Sequence, residues 1–175
     1  MPIDFEKFRF RRFVQRLIEI GECEVHEEPI TLADLSAGIE ATRAAKLFRK
    51  VGAEQYEVAA AVSGSRRRLA AAFGVDERDI AREYLRRLGN PQPIAEVPSA
   101  DAPVHQVIRT GGAIDLTSLP FHLQHELDGG PYISSALDFC ADPATGRNNV
   151  GLRRLMLRDR RTMRSHLYSP SHMKQ

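Results

Sequence analysis

Apolar side chains in the first ninety residues follow helical spacing in some stretches and strand spacing in others. Residues 10–17 carry them at i, i+3, i+4 and i+7, as on one face of a helix, and Gly21 follows at a position suited to ending that helix. Segments 22–26, 46–51 and 56–62 have the short apolar or alternating pattern of strands. The pattern in these stretches therefore predicts an opening helix and three strands.

The rest of this region predicts three more helices. Thr31 and Asp34 have the spacing of a weak helix-capping pair, and a short helix follows Ser65. The arginines at 66–68 are predicted to belong to a plain surface cap and not to an anion site, because no glycine fingerprint flanks them. A last helix from Asp76 is predicted to turn Ile80, Tyr84 and Leu88 inward. Strands that alternate with helices predict a mixed α/β domain over residues 1–90.

Residues 91–103 are predicted to be a linker. They contain four prolines, and proline fixes φ and removes a backbone donor, so neither a helix nor a central strand continues through them. After the linker, the pattern predicts strands at 104–109, 132–139 and 150–158. The sequence thus predicts a second, strand-rich domain over residues 104–175, which makes this part of the chain α+β.

Composition narrows the class of protein. The 175 residues are 42% hydrophobic and 27% charged, which is typical of globular proteins, and the net charge of +2 gives no reason to expect nucleic acid. No run approaches the roughly 20 apolar residues of a membrane span, and the N-terminus lacks a signal-peptide layout. Cys23 and Cys140 are interpreted as two reduced thiols, although a disulfide between them stays open. We therefore expect a cytoplasmic protein.

Several motifs after the linker occur in one order. Residues 128–135 read Asp-Gly-Gly-Pro-Tyr-Ile-Ser-Ser, an acidic turn occupies 142–146, and Asn149-Val150-Gly151 is followed by Arg154. With segments 104–107 and 115–120 upstream and His172 downstream, this order resembles the UbiD family of reversible decarboxylases, which use prenylated flavin mononucleotide (FMN). The resemblance implies a small α/β domain followed by the first part of a split β-barrel flavin-binding domain.

The resemblance also implies a site. Asn149 and His172 would bind a divalent metal that bridges to the cofactor phosphate. An amide oxygen with an imidazole suits Mn²⁺ better than Ca²⁺, and a monovalent cation could accompany it. Arg154 would be the catalytic residue that holds the substrate carboxylate, because a guanidinium binds a carboxylate through two hydrogen bonds. The remaining cofactor contacts implied by the resemblance are Ser135, Gly151, Leu152, Arg153 and Ser171.

Spacing sets a condition on this site. Asn149 and Arg154 are five residues apart, so in a regular strand they would point to opposite faces. Both could reach one pocket only if Asn149 precedes the strand or a bulge intervenes. Position 153 is also unusual, because many family members carry an aromatic residue there and this chain carries Arg153.

The resemblance covers less than half of a typical family member. We therefore expect a fragment or truncated reading frame that is inactive and poorly soluble alone. The implied partners are a carboxylic acid substrate of the aromatic, heteroaromatic or α,β-unsaturated class, a flavin prenyltransferase that supplies the cofactor, and further copies of the full-length chain.

Two other functions stay open. One is a non-catalytic flavin- or metal-binding subunit that a partner chain completes. The other is a polyanion or nucleic-acid binder, because residues 153–175 hold seven Lys and Arg and only Asp159 as an acid. That stretch lacks interleaved stacking aromatics apart from Tyr168, so we favour the decarboxylase.

Overall fold

The computed structural model of the chain describes residues 5–91 and 96–165. Among these residues the order of elements is α/β in the first half and largely β in the second. The helices are α1 (Phe10–Glu19), α2 (Leu35–Glu40), α3 (Arg66–Phe73) and α4 (Ile80–Leu88). The strands are β1 (Cys23–His26), β2 (Ala45–Val51), β3 (Tyr56–Ala60), β4 (Tyr132–Ala141), β5 (Asn148–Leu157) and β6 (Met163–Ser165).

The first sheet forms the core of the N-terminal half. Its order is β1-β2-β3, with β1 parallel and β3 antiparallel to the central strand β2. Leu17 of α1 belongs to a buried cluster with Leu47 of β2, and Leu35 of α2 belongs to another with Phe48. Successive residues of β2 thus feed two clusters, as the alternation of a strand requires. The helix predicted over residues 10–17, the three predicted strands and the α/β class are confirmed. Gly21, predicted to end that helix, adopts a φ of +72° after α1.

Two cations lie inside this half. Lys46 is fully buried and donates to Thr42 Oγ1 over 2.6 Å. It also forms an ion pair with Glu24, and its hydrogen bond to the Glu24 carboxylate lowers the pKa of Glu24. Arg68 is only 2% exposed and donates from Nη1 to the Arg43 carbonyl over 2.9 Å. The prediction of a plain surface cap at 66–68 is therefore wrong for Arg68, because its side chain is buried and bonds to a carbonyl 25 residues away in sequence.

Helix α4 differs from the prediction in its exposed face. Tyr84 and Leu88, predicted to point inward, are 51% and 60% exposed. The helix packs on α3, where Tyr84 meets the ring of Phe73 edge-on and the Arg87 guanidinium lies 4.9 Å from the same ring. Since one neighbour covers only one side of a helix, most of the apolar stripe of α4 stays at the surface.

The second half begins with short turns and ends in the second sheet. The predicted strand at 104–109 is wrong: a 3-10 turn at Pro103–His105 and irregular backbone replace it, and none of the strands in the described part of the chain pairs with it. The predicted strands at 132–139 and 150–158 are confirmed as β4 and β5, and β6 adds a third strand in an antiparallel sheet of order β4-β5-β6. The split barrel itself stays a prediction. Within the described residues, no helix is long and apolar enough to cross a bilayer.

Candidate functional site

The β4–β5 hairpin carries most of the predicted site residues. In its register Cys140 lies opposite Asn149, Asp138 opposite Gly151 and Ala136 opposite Arg153. Along β5 the odd-numbered positions from 149 to 153 are half-buried, whereas the even-numbered positions from 148 to 154 are exposed. This alternation gives the hairpin two faces. We name them the Asn149 face (Asn149, Gly151, Arg153 and their partners) and the Arg154 face (Val150, Leu152, Arg154 and their partners).

A β-bulge brings Ser135 to Arg154. Ile133 pairs with Leu155 and Ala136 with Arg153, so two residues of β4, Ser134 and Ser135, oppose the single residue Arg154 of β5. All three are exposed. Two of the predicted site residues, one from each strand, therefore meet at one position of the hairpin.

The bulge does not bring Asn149 and Arg154 together. Asn149 lies within β5, not before it, and the extra residue is in β4, so β5 keeps its alternation between these two positions. The described hairpin therefore groups Asn149 with Gly151 and Arg153 on one face, and Arg154 with Ser135 and Leu152 on the other. Ser171 and His172 lie outside the described residues.

The Asn149 face contains a loosely paired arginine over a glycine. A Cβ atom added to Gly151 would stand 3.2 Å from three guanidinium atoms of Arg153, so this guanidinium lies directly on the glycine. Its Nη1 donates to the Leu152 carbonyl over 3.1 Å, and its Nε lies 3.9 Å from Asp138 Oδ2. That distance is too long for a hydrogen bond, and both atoms are buried without a hydrogen-bond partner among the described residues.

Asp138 was not predicted as a site residue. The signal in the sequence is its position: it interrupts the apolar and small residues of β4, and the antiparallel register sets it opposite a glycine. Only an estimate of that register could have found it, because Asp138 and Arg153 are fifteen residues apart in sequence.

A cleft of about 440 Å³ borders the bulge, between the two halves of the chain. Its lining is largely apolar, with Ile39 and Val58 from the N-terminal half and Pro120 and Ile133 from the second half. Ser36 Oγ donates to the Leu123 carbonyl over 2.6 Å and ties the halves together nearby. Ser134 and Ser135 also line this cleft, so the bulge adjoins both Arg154 and an apolar space.

The predicted motif at 115–120 has a clear structural part. Asp115 accepts hydrogen bonds from the Thr117 hydroxyl and amide and from Arg160 Nη2, the last over 2.7 Å. The bonds from Thr117, and Arg160 in a smaller part, lower the pKa of Asp115. Since Leu116 also donates its N–H to the Arg160 carbonyl, this motif fastens the chain before β4 to the turn after β5.

The described residues carry donors for an anionic group, whereas His172, one of the two predicted metal ligands, lies outside them. Among residues 5–91 and 96–165, no three His, Cys, Asp or Glu side chains gather as a metal site would require. The Arg153 guanidinium, which lies half-buried over Gly151, carries several N–H donors of the kind that bind a phosphate. The hairpin therefore fits the phosphate end of a flavin nucleotide.

Comparison with known proteins gives a consistent picture. The 3-octaprenyl-4-hydroxybenzoate carboxy-lyase N-terminal domain (UbiD_N) matches residues 15–88, and the Rift-related domain of the same carboxy-lyase (UbiD) matches residues 95–175. The chain is 32% identical over 128 residues to an uncharacterized protein from the cooM 5′ region of Rhodospirillum rubrum, covering 72% of this chain and 27% of that protein.

Two further relatives have a named activity or a bound flavin. Anhydromevalonate phosphate decarboxylase of Methanothermobacter thermautotrophicus is 28% identical over 166 residues, which cover 91% of this chain and 37% of that enzyme. The structure of an evolved dimeric form of the UbiD-class enzyme HmfF from Pelotomaculum thermopropionicum, in complex with prFMN, is 28% identical. It superposes with a TM-score of 0.84 over 94% of this chain and 39% of HmfF.

The chain thus spans 27% and 37% of the lengths of these two sequence relatives. The two family domains lie in succession along it, over residues 15–88 and 95–175, and 94% of the chain superposes on a UbiD-class enzyme. The protein belongs to the UbiD family of carboxy-lyases.

Proposed function

We propose that this chain forms the flavin-binding part of a decarboxylase that uses prenylated FMN to remove CO₂ from an aromatic, heteroaromatic or α,β-unsaturated carboxylic acid. The observation that carries the proposal is the β4–β5 hairpin, which has Arg154 against the Ser134–Ser135 bulge on one face and Asn149, Gly151 and Arg153 on the other. Its fold superposes on the prFMN complex of HmfF.

Arg154 is the proposed carboxylate-binding residue. Its guanidinium is exposed, stays charged at physiological pH and lies opposite Ser135, whose hydroxyl is a further hydrogen-bond donor. The apolar cleft at the bulge offers space for the uncharged body of an organic acid. The chain's own contribution to the reaction is thus to bind and orient the acid.

The remaining predicted residues are assigned to the cofactor and its metal. In this proposal Asn149 and His172 hold a divalent ion, Mn²⁺ for preference, and Ser135, Gly151, Leu152, Arg153, Arg154 and Ser171 contact the flavin. When bound, prenylated FMN supplies the electron sink that carboxylate loss requires. Asn149 and Arg154 have to serve different edges of the ligand, since they lie on opposite faces of β5.

The wider setting belongs to the same proposal. We place the domain boundary in residues 91–103, with the flavin-binding split barrel beginning at 104. A flavin prenyltransferase would supply the cofactor in the cytoplasm, and the complete enzyme would be a homo-oligomer.

The test uses the gene product tagged and purified from its own cells, so that any further chain that belongs to it is retained. After loading with prenylated FMN and Mn²⁺, CO₂ release is measured with a panel of aromatic and unsaturated acids. Arg154→Met should reduce release by about 100-fold or more, because a charged hydrogen-bond pair to the substrate is lost. Arg82→Met, which removes an exposed charge in the N-terminal half, is the matched control.

An unchanged rate in Arg154→Met would remove Arg154 from the site. Flavin binding without CO₂ release from any acid would instead favour a non-catalytic flavin-binding subunit.

A further inference from the structure

The feature that carries this inference is the unfinished contact between Asp138 and Arg153. Two opposite charges lie on neighbouring strands, their nearest atoms 3.9 Å apart, and the two atoms that face each other are both buried without a hydrogen bond among the described residues. Burying such atoms unsatisfied costs free energy. A pair built only for stability would close this gap, so the arrangement leaves capacity for a third group.

Gly151 makes this arrangement possible. It lies directly opposite Asp138 and two residues before Arg153, on the same face of β5. A Cβ there would stand 3.2 Å from the guanidinium, so a side chain at this position would push the guanidinium away from the backbone by a few tenths of an ångström. Because Gly151 has no side chain, the guanidinium can lie against its backbone. Asp138 lies opposite Gly151 on β4, and Asn149 lies two residues before Gly151 on β5.

A phosphate is the group that suits the guanidinium in this position. The guanidinium presents several N–H donors in one plane, which matches two oxygens of a phosphate. A phosphomonoester carries about −1.5 to −2 charges at neutral pH, more than the single charge of Asp138. It also brings three strong acceptor oxygens, so it competes well with the carboxylate for the same guanidinium.

We propose that Arg153 binds the phosphate of the flavin cofactor. Asp138 is then a positioning residue, whose carboxylate holds the guanidinium over Gly151 until the phosphate displaces that carboxylate. The inference rests on the proposed flavin site and adds to it a residue with two successive partners. It assigns the role to the side chain of Arg153, at a position where many family members have an aromatic residue.

The test compares two ligands that differ only in the phosphate. The chain is titrated with FMN and with riboflavin, and binding is followed by quenching of flavin fluorescence. We expect Arg153→Met to weaken FMN binding on the order of tenfold and to leave riboflavin binding within about twofold. Asp138→Asn should strengthen FMN binding several-fold, because it removes the competing charge and leaves riboflavin unaffected. Arg82→Met is the control for net charge.

The two variants make opposite predictions, so one of them can overturn the inference if the other fails to fold. An unchanged FMN-to-riboflavin ratio in Arg153→Met would show that the side chain does not bind the phosphate. Weaker FMN binding in Asp138→Asn would show that the aspartate is needed in the bound state and is not displaced. If the unmodified chain binds neither ligand, the proposed flavin site fails as well, whereas tight FMN binding that ignores Arg153 overturns this inference alone.

Discussion

Gly151→Ala separates the folding role of the hairpin from its binding role. The added methyl carbon would stand 3.2 Å from three atoms of the Arg153 guanidinium, whereas carbon atoms pack best at about 3.5–4.0 Å. The obstructing group is the far end of a flexible side chain, so it can move away at little cost to the fold. Removing a glycine from a strand meanwhile stabilises it by roughly 0.5–1 kcal/mol.

The two effects have different readouts. In urea unfolding we expect the free energy of unfolding of Gly151→Ala to equal that of the unmodified chain or exceed it by up to about 1 kcal/mol. In the flavin titration we expect FMN binding to weaken on the order of tenfold, because the added methyl group moves the guanidinium away from its position beside the phosphate.

The control is Gly74→Ala, whose added methyl group would meet no atom within 4 Å but would lie on a backbone with a φ of +70°. It should lower stability, since a left-handed conformation disfavours alanine, and leave FMN binding unchanged. Equal FMN affinity in Gly151→Ala and the unmodified chain would refute the reasoning about Arg153.

Three further predictions concern the fold. Leu17→Ala should lower the free energy of unfolding by about 2–5 kcal/mol, because its side chain is fully buried, whereas Leu85→Ala, 66% exposed, should change it by less than about 0.5 kcal/mol in the same urea titration. Arg86 and Arg87 lower the pKa of Glu83 from 4.5 to about 2, so the stability that Glu83 contributes is complete above pH 4.5 and is lost as the pH falls through 2. The urea midpoints of Glu83→Gln and the unmodified chain should therefore converge between pH 5 and pH 2, and a constant difference would contradict this. Phe139 and Leu152 are 76% and 71% exposed on the Arg154 face. Phe139→Thr should therefore reduce concentration-dependent self-association in sedimentation, because it removes exposed apolar surface. No reduction would show that self-association does not use this face.

The N-terminal half was largely predictable because its local patterns agree with its packing. The apolar face of helix α1 is covered by the first sheet and by α3, so its spacing of apolar residues predicts its buried side. Helix α4 has the same kind of spacing, yet Leu85 and Leu88 stay exposed among the described residues. Periodicity indicates which side of a helix is apolar, but not whether another element covers it.

The second half was less predictable because its structure depends on pairing. Segment 104–109 has the residue types of a strand, but no strand among residues 5–91 and 96–165 pairs with it, and a 3-10 turn and irregular backbone form instead. The Ser134–Ser135 bulge follows from how β4 and β5 align, and neither strand reveals it alone. The contact of Arg153 with Asp138 depends on the same alignment. By contrast, the five-residue spacing of Asn149 and Arg154 was enough to predict that they lie on opposite faces of a regular strand.

The most direct test of the flavin assignment is native mass spectrometry of the chain purified from cells that also express a flavin prenyltransferase. We predict one prenylated FMN per chain in the unmodified protein, and its loss in a variant that combines Asn149→Ala with Arg153→Met. A spectrum that contains only the flavin-free chain, when a known UbiD-class enzyme prepared alongside retains its cofactor, would contradict the assignment.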